Sequence, residues 1–365
     1  MSYTFELNNE RKDENFVSGT IKSNSPVVEI FSAMVQGKDL SSFGVKADKA
    51  AKYITELNNK AAVGDVIATA ELNNIRRLSM EPVLLKEIKL LSIFGNYTPI
   101  GYNESCEVEV PVYANVTASI QAAGQDVSFP VARKRRVSVP TIVISGGHAV
   151  DYRKAALGNM TEENELQEEV RKQIRNKASK YVINTVYTAI KNATGVKYFF
   201  EGAGLTKTGA DGVIGKVRRF GKPNIWGDYA LISQFNPWAG YVGTTPTING
   251  ISEAVMKEIH DTGIMGAYNG SIITEIPNEY DLSTLDAAGT NFNTVLPQGL
   301  GFVAPTGTNS PVYNVTRGGL TSFTGNDVTS GTIMTRFDLE VGCIIVPDQE
   351  YKIGMLYDTN LGGIE

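Results

Sequence analysis

Residues 107–192 place the strictest demand on any fold this chain can adopt, because a long alternating hairpin runs straight into a helix longer than a compact domain needs. From Val108 onward apolar residues hold every second position (Val108, Val110, Val112, Ala114, Val116, Ala118, Ile120), with Glu107, Glu109, Tyr113, Asn115, Thr117 and Ser119 between them. That is the period of a strand with one buried face. Gly124, Gln125 and Asp126 supply a turn, and Val127, Phe129, Val131, Val137, Val139 and Val143 carry the period back. Such arms reach on the order of 40 Å or more at about 3.3 Å per residue. A two-stranded ribbon is marginal in water by itself, so its apolar face must lie on something else.

The helix follows at once. Asn159 or Thr161 can cap it, Glu162, Glu163 and Glu165 load its first turns with negative charge, and Leu166, Val170, Ile174, Ala178, Val182 and Thr185 form one stripe. Gly195 can end it. Over residues 161–193 it would span roughly 50 Å, against a typical helix of about 11 residues. The first half is charged around most of its circumference and the second half (Tyr181, Val182, Ile183, Val186, Tyr187, Ile190) is apolar on most faces. The spacing therefore predicts a strut running from an exposed rim into a core.

With 365 residues the chain can form two domains or one large core with extensions. A net charge of -5 argues against a protein that coats nucleic acid, while leaving room for a local basic patch. Two cysteines, Cys106 and Cys343, give no disulfide framework and fit a reducing compartment. The two histidines, His148 and His260, have no companions at metal-ligand spacing, so no metal and no cofactor is expected. No basic-then-apolar leader and no apolar run of membrane-spanning length occurs, and the reading is a soluble cytosolic chain without a membrane partner.

Residues up to about 46 lack a sustained period and read as an extended arm with little core of its own. Helices are expected over 47–62 and again after Asp65, with Pro82 breaking the chain and 83–94 forming a short apolar segment. Beyond the strut, Asp211 can cap a helix carrying Val213, Ile214, Val217 and Phe220. Ala230, Leu231 and Ile232 read as a strand, Ser252 can cap a helix ending at Gly263, and residues 272–276 read as a strand. Residues 291–330 read as loop and short strand, and 333–346 and 351–357 as strong strands. Trp226, Trp238, Phe220 and Phe235 are read as core.

This order of elements resembles the major capsid protein of tailed bacteriophages, the Hong Kong 97-type fold. The residues carrying the likeness are Gly124 to Pro130, the run Gly227-Asp228-Tyr229-Ala230-Leu231-Ile232, residues 251–263 followed by Gly266-Ala267-Tyr268-Asn269-Gly270, Pro277-Asn278, and the ending from Phe337 to Asp358. The resemblance implies an α+β fold with an N-terminal arm and short helices (1–104), an extended two-stranded E-loop (105–145) and a peripheral domain with the spine helix (146–222). It further implies an axial domain (223–332) and a return to peripheral strands (333–365). It implies a non-enzymatic structural protein of the virion, assembled in the host cytoplasm, whose copies form hexamers and pentamers of an icosahedral shell. The implied partners are a separate scaffolding protein, a portal, an optional decoration protein and non-specifically contacted double-stranded DNA. A loop lysine is cross-linked in some of these phages, but Lys134 is the only lysine on the arms and sits away from the tip, so that chemistry is not carried over.

The sharpest local feature is the basic run Arg133-Lys134-Arg135-Arg136 in the returning strand. Alternation sends Arg133 and Arg135 to one face and Lys134 and Arg136 to the other. Three readings stand: a solvated edge that discourages strand pairing, a DNA contact, and a cross-subunit pairing with the acidic helix start, Glu162, Glu163, Glu165, Glu168 and Glu169, which would steer register. The glycines at 202 and 204 lack a Walker lysine pattern and read as turns. The alternatives to a phage shell are an encapsulin-type compartment of the same fold and a cytosolic α/β enzyme.

Overall fold

The computed structural model of the chain describes residues 25–35, 38, 41–112, 133–151, 153, 160–239, 253–286, 289–305, 310–327 and 329–362. The helices are α1 (Pro26–Val35), α2 (Val45–Ala62), α3 (Val66–Glu87), α4 (Lys89–Ile93), α5 (Met160–Asn192), α6 (Lys207–Val217), α7 (Tyr229–Ile232) and α8 (Glu253–Thr262). The strands are β1 (Gly95–Ile100), β2 (Glu107–Val112), β3 (Arg133–Ser138), β4 (Thr141–Asp151), β5 (Tyr198–Gly202), β6 (Pro223–Gly227), β7 (Ala267–Tyr268) and β8 (Ser271–Glu275). They continue with β9 (Tyr280–Leu285), β10 (Phe292–Thr294), β11 (Leu300–Pro305), β12 (Val312–Asp327), β13 (Thr332–Ile345) and β14 (Gly354–Asp358). The chain's contacts divide it into two compact units, the first being Met1–Leu90, Ile142–Ser179 and Thr316–Val341, the second Leu91–Thr141, Lys180–Val315 and Gly342–Glu365.

In the first unit α1 buries Val27, Val28 and Phe31 against Tyr53, Ile54 and Leu57 of α2 and Leu72 and Ile75 of α3. Asp65 starts α3 by accepting from the backbone N–H groups of Ile67 and Ala68 at 2.9 and 3.2 Å, satisfying donors that a helix start leaves open. On β4, Ile144, His148 and Val150 face inward. Gly146 shares their face, and a Cβ there would stand 2.9 Å from Val170 and 3.2 Å from Ile174 of α5. Its bare backbone is what lets the strand approach that helix. β13 alternates cleanly, burying Ile333, Thr335, Phe337, Leu339 and Val341, the period-2 pattern of a strand with one apolar face.

The second unit holds a six-stranded sheet in the order β5-β14-β11-β6-β8-β7. β5 runs parallel to β14 and β6 parallel to β8, whereas β11 is antiparallel to both of its neighbours. Central β11 is buried along its whole length. The apolar stripe of α6, Val213, Ile214 and Val217, packs with Ile225, Ile273, Val303 and Leu356 from the strands. Phe94 sets its edge against Phe302 at 4.9 Å and Trp226 at 5.8 Å between ring centroids. Trp226 and Phe235 are core, as expected; Trp238 packs edge-on against Phe235 and is partly covered, as is Phe220.

The long helix and the final strands follow the expectations to within a few residues, and several other elements do not. Residues 26–35 form a helix instead of extended arm, because Val27, Val28, Ile30 and Phe31 supply a buried face despite the polar stretch around them. Pro82 does not break the chain: α3 continues to Glu87 with Pro82 on its exposed side, and fully buried Leu84 holds the far turn in place. Residues 229–232 are a helical turn, since the Asp228 side chain accepts from the Ala230 N–H; the strand is the preceding Pro223–Gly227. Thr206, not Asp211, caps α6 by accepting from the Gly209 N–H. Asp211 instead receives the Tyr268 hydroxyl and the Asn269 amide. Within 291–330 lies the 16-residue strand β12, interrupted at Gly318 and Gly319, both with left-handed φ of 69° and 73°. The Glu81 carboxylate accepts from the Leu320 N–H beside that interruption. The loop tip from Gly124 to Pro130, residues 1–24 and Ser252 lie outside the described residues.

Candidate subunit-interface site

The hairpin base is a six-pair antiparallel ladder joining Glu107 to Ser138 and Val112 to Arg133. Its alternation is that of the sequence: Val110 is buried and Val108 and Cys106 half-buried against Ile100, Val139 and Val315, whereas Glu107 and Glu109 are exposed. In this register Glu109 stands opposite Arg136, one step from Lys134. Lys134 Nζ reaches Glu109 at 3.2 Å and Arg136 Nε at 3.4 Å. Hydrogen bonding and charge from Lys134 first, then from Arg136, hold the Glu109 carboxyl below its ordinary pKa. On the other face Arg135 donates to the Pro347 carbonyl at 3.1 Å and lies 3.6 Å from the Asp348 carboxylate. Arg133 is exposed. Exposed pairs of this kind add little to stability.

The acidic start of α5 divides by face. Glu165 and Glu169 are exposed, the latter accepting from Gln173 at 2.9 Å. Glu168 pairs with Arg171 one turn on, and Arg171 also reaches Glu87 at 2.5 Å. Glu163 is turned inward and 3 % exposed, where it pairs with Arg76 of α3. The expectation that Glu163 lies on an open acidic face is corrected: its carboxylate is consumed inside its own chain. The side chain of Glu162 lies outside the described residues.

Sequence reasoning missed the buried ions under this helix. Arg76 Nη1 donates to Thr324 and Thr335, each at 3.1 Å, and its guanidinium pairs with Glu163. Gln167 and Arg171 are buried on the same face, and Val170 and Ile174 adjoin them. The available signal was the spacing Glu163, Gln167, Arg171, which repeats every four residues and so keeps to one side of a helix. His148 stacks on Phe337 at 6.1 Å, and among the described residues neither of its ring nitrogens has a hydrogen-bond partner. Burial chiefly, then the nearby Arg76 cation against an opposing Glu163 contribution, takes its pKa down to about 4. Among the described residues no group of three acidic, His or Cys side chains is placed to hold a metal, and no helix is long and apolar enough to cross a membrane. Gly204, with φ 93°, is a turn residue whose N–H donates to Asp358.

Among the described residues the charges singled out by the sequence lie on the β2–β3 ribbon and on α5 of a mixed α+β chain. Residues 13–357 match the family described as SPbeta prophage-derived putative capsid protein YonB, and the chain belongs to that capsid family. No curated protein matches it. Among solved structures it is similar to the bacteriophage PhiM1 mature capsid (14% identity, 74% of this chain and 87% of that one, TM-score 0.46). It is similar also to the structure of Microbacterium phage Oxtober96 (12%, 72% and 88%, TM-score 0.47) and to a virus-like particle from Pyrococcus furiosus (12%, 76% and 97%, TM-score 0.43).

Proposed function

We propose that this chain is the major shell subunit of a tailed phage or prophage head with a Hong Kong 97-type architecture, acting by assembly and not by turnover. The observation that carries this reading is the capsid-family match across residues 13–357. The two-stranded β2–β3 sheet, placed where the resemblance puts the base of an extended loop, and the 33-residue helix support it. On this reading the six-stranded sheet is the axial part. The first unit, with α3, β4 and the first half of α5, is the peripheral part. β13 returns to the peripheral strands, and β14 continues into the axial sheet. The subunits form hexamers and pentamers around double-stranded DNA, with a scaffolding protein, portal and decoration protein as partners and the virion as destination.

Electron microscopy of the purified chain, alone and with its phage's scaffolding protein, tests the reading. Closed shells of uniform size are expected, and a chain that stays a small oligomer under both conditions refutes it. Within this reading the basic run of β3 faces the Glu165 and Glu169 side of α5 on a neighbour. Reversing Arg133, Arg135 and Arg136 to Glu is then expected to abolish or misshape the particles, and unchanged particles would leave the run as a solvated edge.

A further inference from the structure

The six-stranded sheet is electrically polarised along its strands. β5, β14, β6 and β8 all point one way. Where they begin stand Lys197 ahead of β5, Arg218, Arg219 and Lys222 ahead of β6, and half-buried Lys352 ahead of β14. Where they finish stand Glu201 on β5, Asp228 after β6, Glu275 on β8 and Asp358 on β14. Asp228 and Asp358 are engaged in capping contacts, whereas Glu201 and Glu275 are exposed. Lys207 at the acidic end and Glu350 at the basic end run against the trend, as does Asp211, which accepts from the Asn269 amide ahead of β8; Arg218 donates to the Asn269 carbonyl at 2.6 Å. The sequence itself holds no Lys or Arg between Lys257 and Arg317, a stretch that contains Glu275, Glu279, Asp281 and Asp286.

From the acidic end projects the hairpin of β9 and β10, which among the described residues pair only with each other. Its base is fixed by Asn278, which donates to Asp228 at 2.8 Å and to the Leu296 carbonyl at 2.9 Å. Beyond that clamp it exposes Tyr280 (54 %), Leu282 (74 %), Leu285 (55 %) and Phe292 (42 %). A lone hairpin of this kind is marginal in water, and clustered exposed apolar side chains mark a surface that another molecule covers.

We propose that the β9–β10 hairpin docks on a second copy of this chain, its acid-flanked exposed apolar side chains seating on the neighbour's basic strand-start end at Lys197, Arg218, Arg219 and Lys222. The proposal rests on the shell reading and specifies one of its contacts. Charge complementarity selects a second copy as occupant, because one unit carries both halves of the contact. The halves sit at opposite ends of five-residue strands, about 17 Å apart along the strand direction, so the contact runs head to tail from copy to copy and closes as a ring. The charges set register and encounter, and the apolar side chains supply the hold.

The test uses the full chain in four forms: unaltered, Glu275→Lys with Glu279→Lys, Arg219→Glu with Lys222→Glu, and all four reversals together. Sedimentation velocity reads the assembled fraction, and circular dichroism confirms folding. Each pair of reversals is expected to lower assembly about tenfold or more, and the combined form to regain most of it. If the unaltered chain assembles and the single pairs assemble equally well, the docking surface is wrong and the shell reading stands. If the combined chain is folded yet stays as unassembled as the single pairs, the pairing of these two ends is overturned. An unaltered chain that never assembles, even with its scaffolding protein, removes both ideas.

Discussion

Truncating Arg76 to alanine is expected to lower the unfolding free energy by about 3–5 kcal/mol, the cost of leaving a buried charge without its counter-ion. The stranded group is Glu163, 3 % exposed on the inner face of α5. Thr324 and Thr335 would lose their guanidinium donor at the same time. Replacing both members, Arg76→Met with Glu163→Leu, is expected to restore most of the loss, because a buried ion pair exchanged for apolar groups of similar volume is often close to neutral. Urea titrations of the unassembled chain measure both. An Arg76→Ala variant within about 1 kcal/mol of the parent would mean that water reaches Glu163 and that the pair is not sealed.

The second large effect is an acid dependence centred on His148. Its folded pKa, about 4, lies below the ordinary 6.5, so the native state holds the ring neutral where the unfolded chain would take up a proton. Above about pH 6.5 the two states bind the same number of protons at this site, and its contribution is fully present. As the pH falls from about 6.5 toward 4 the unfolded chain gains a proton that the native chain refuses. Stability then drops by up to about 1.4 kcal/mol per pH unit, on the order of 3 kcal/mol in all. The His148→Phe variant keeps the stack on Phe337 and removes the titration. Unfolding midpoints measured between pH 7.5 and 4.5 are expected to diverge, with the parent falling more steeply. Parallel curves would show that the imidazole is charged or solvated in the fold.

What could be read from the chain alone was whatever a local period encodes. The helix expected over 161–193 is found at Met160–Asn192 because Val170, Ile174, Ala178 and Val182 repeat on one side over several turns. The strand expected over 333–346 is found at Thr332–Ile345 for the same kind of reason. β12 was hidden because its pattern is broken by Gly318 and Gly319 and its buried positions include the polar Asn314 and Thr316, the Asn314 amide donating to the Leu91 carbonyl, 223 residues away in the chain. α1 was hidden by the polar, aperiodic stretch around it. On the candidate site, alternation placed the β3 charges on their two faces, whereas the inward turn of Glu163 depends on Arg76, 87 residues earlier in the chain. No window of neighbouring residues contains that information.

The interruption in β12 leaves one more mark on the molecule. Ahead of Gly318 and Gly319 the strand is covered on both sides, with Val312, Asn314 and Thr316 buried and Val315 buried beside Ile100 and Val139. Beyond the glycines, past buried Leu320, it is more open, and at the change a helix carboxylate from Glu81 takes over the role that a neighbouring strand's carbonyl plays elsewhere in a ladder.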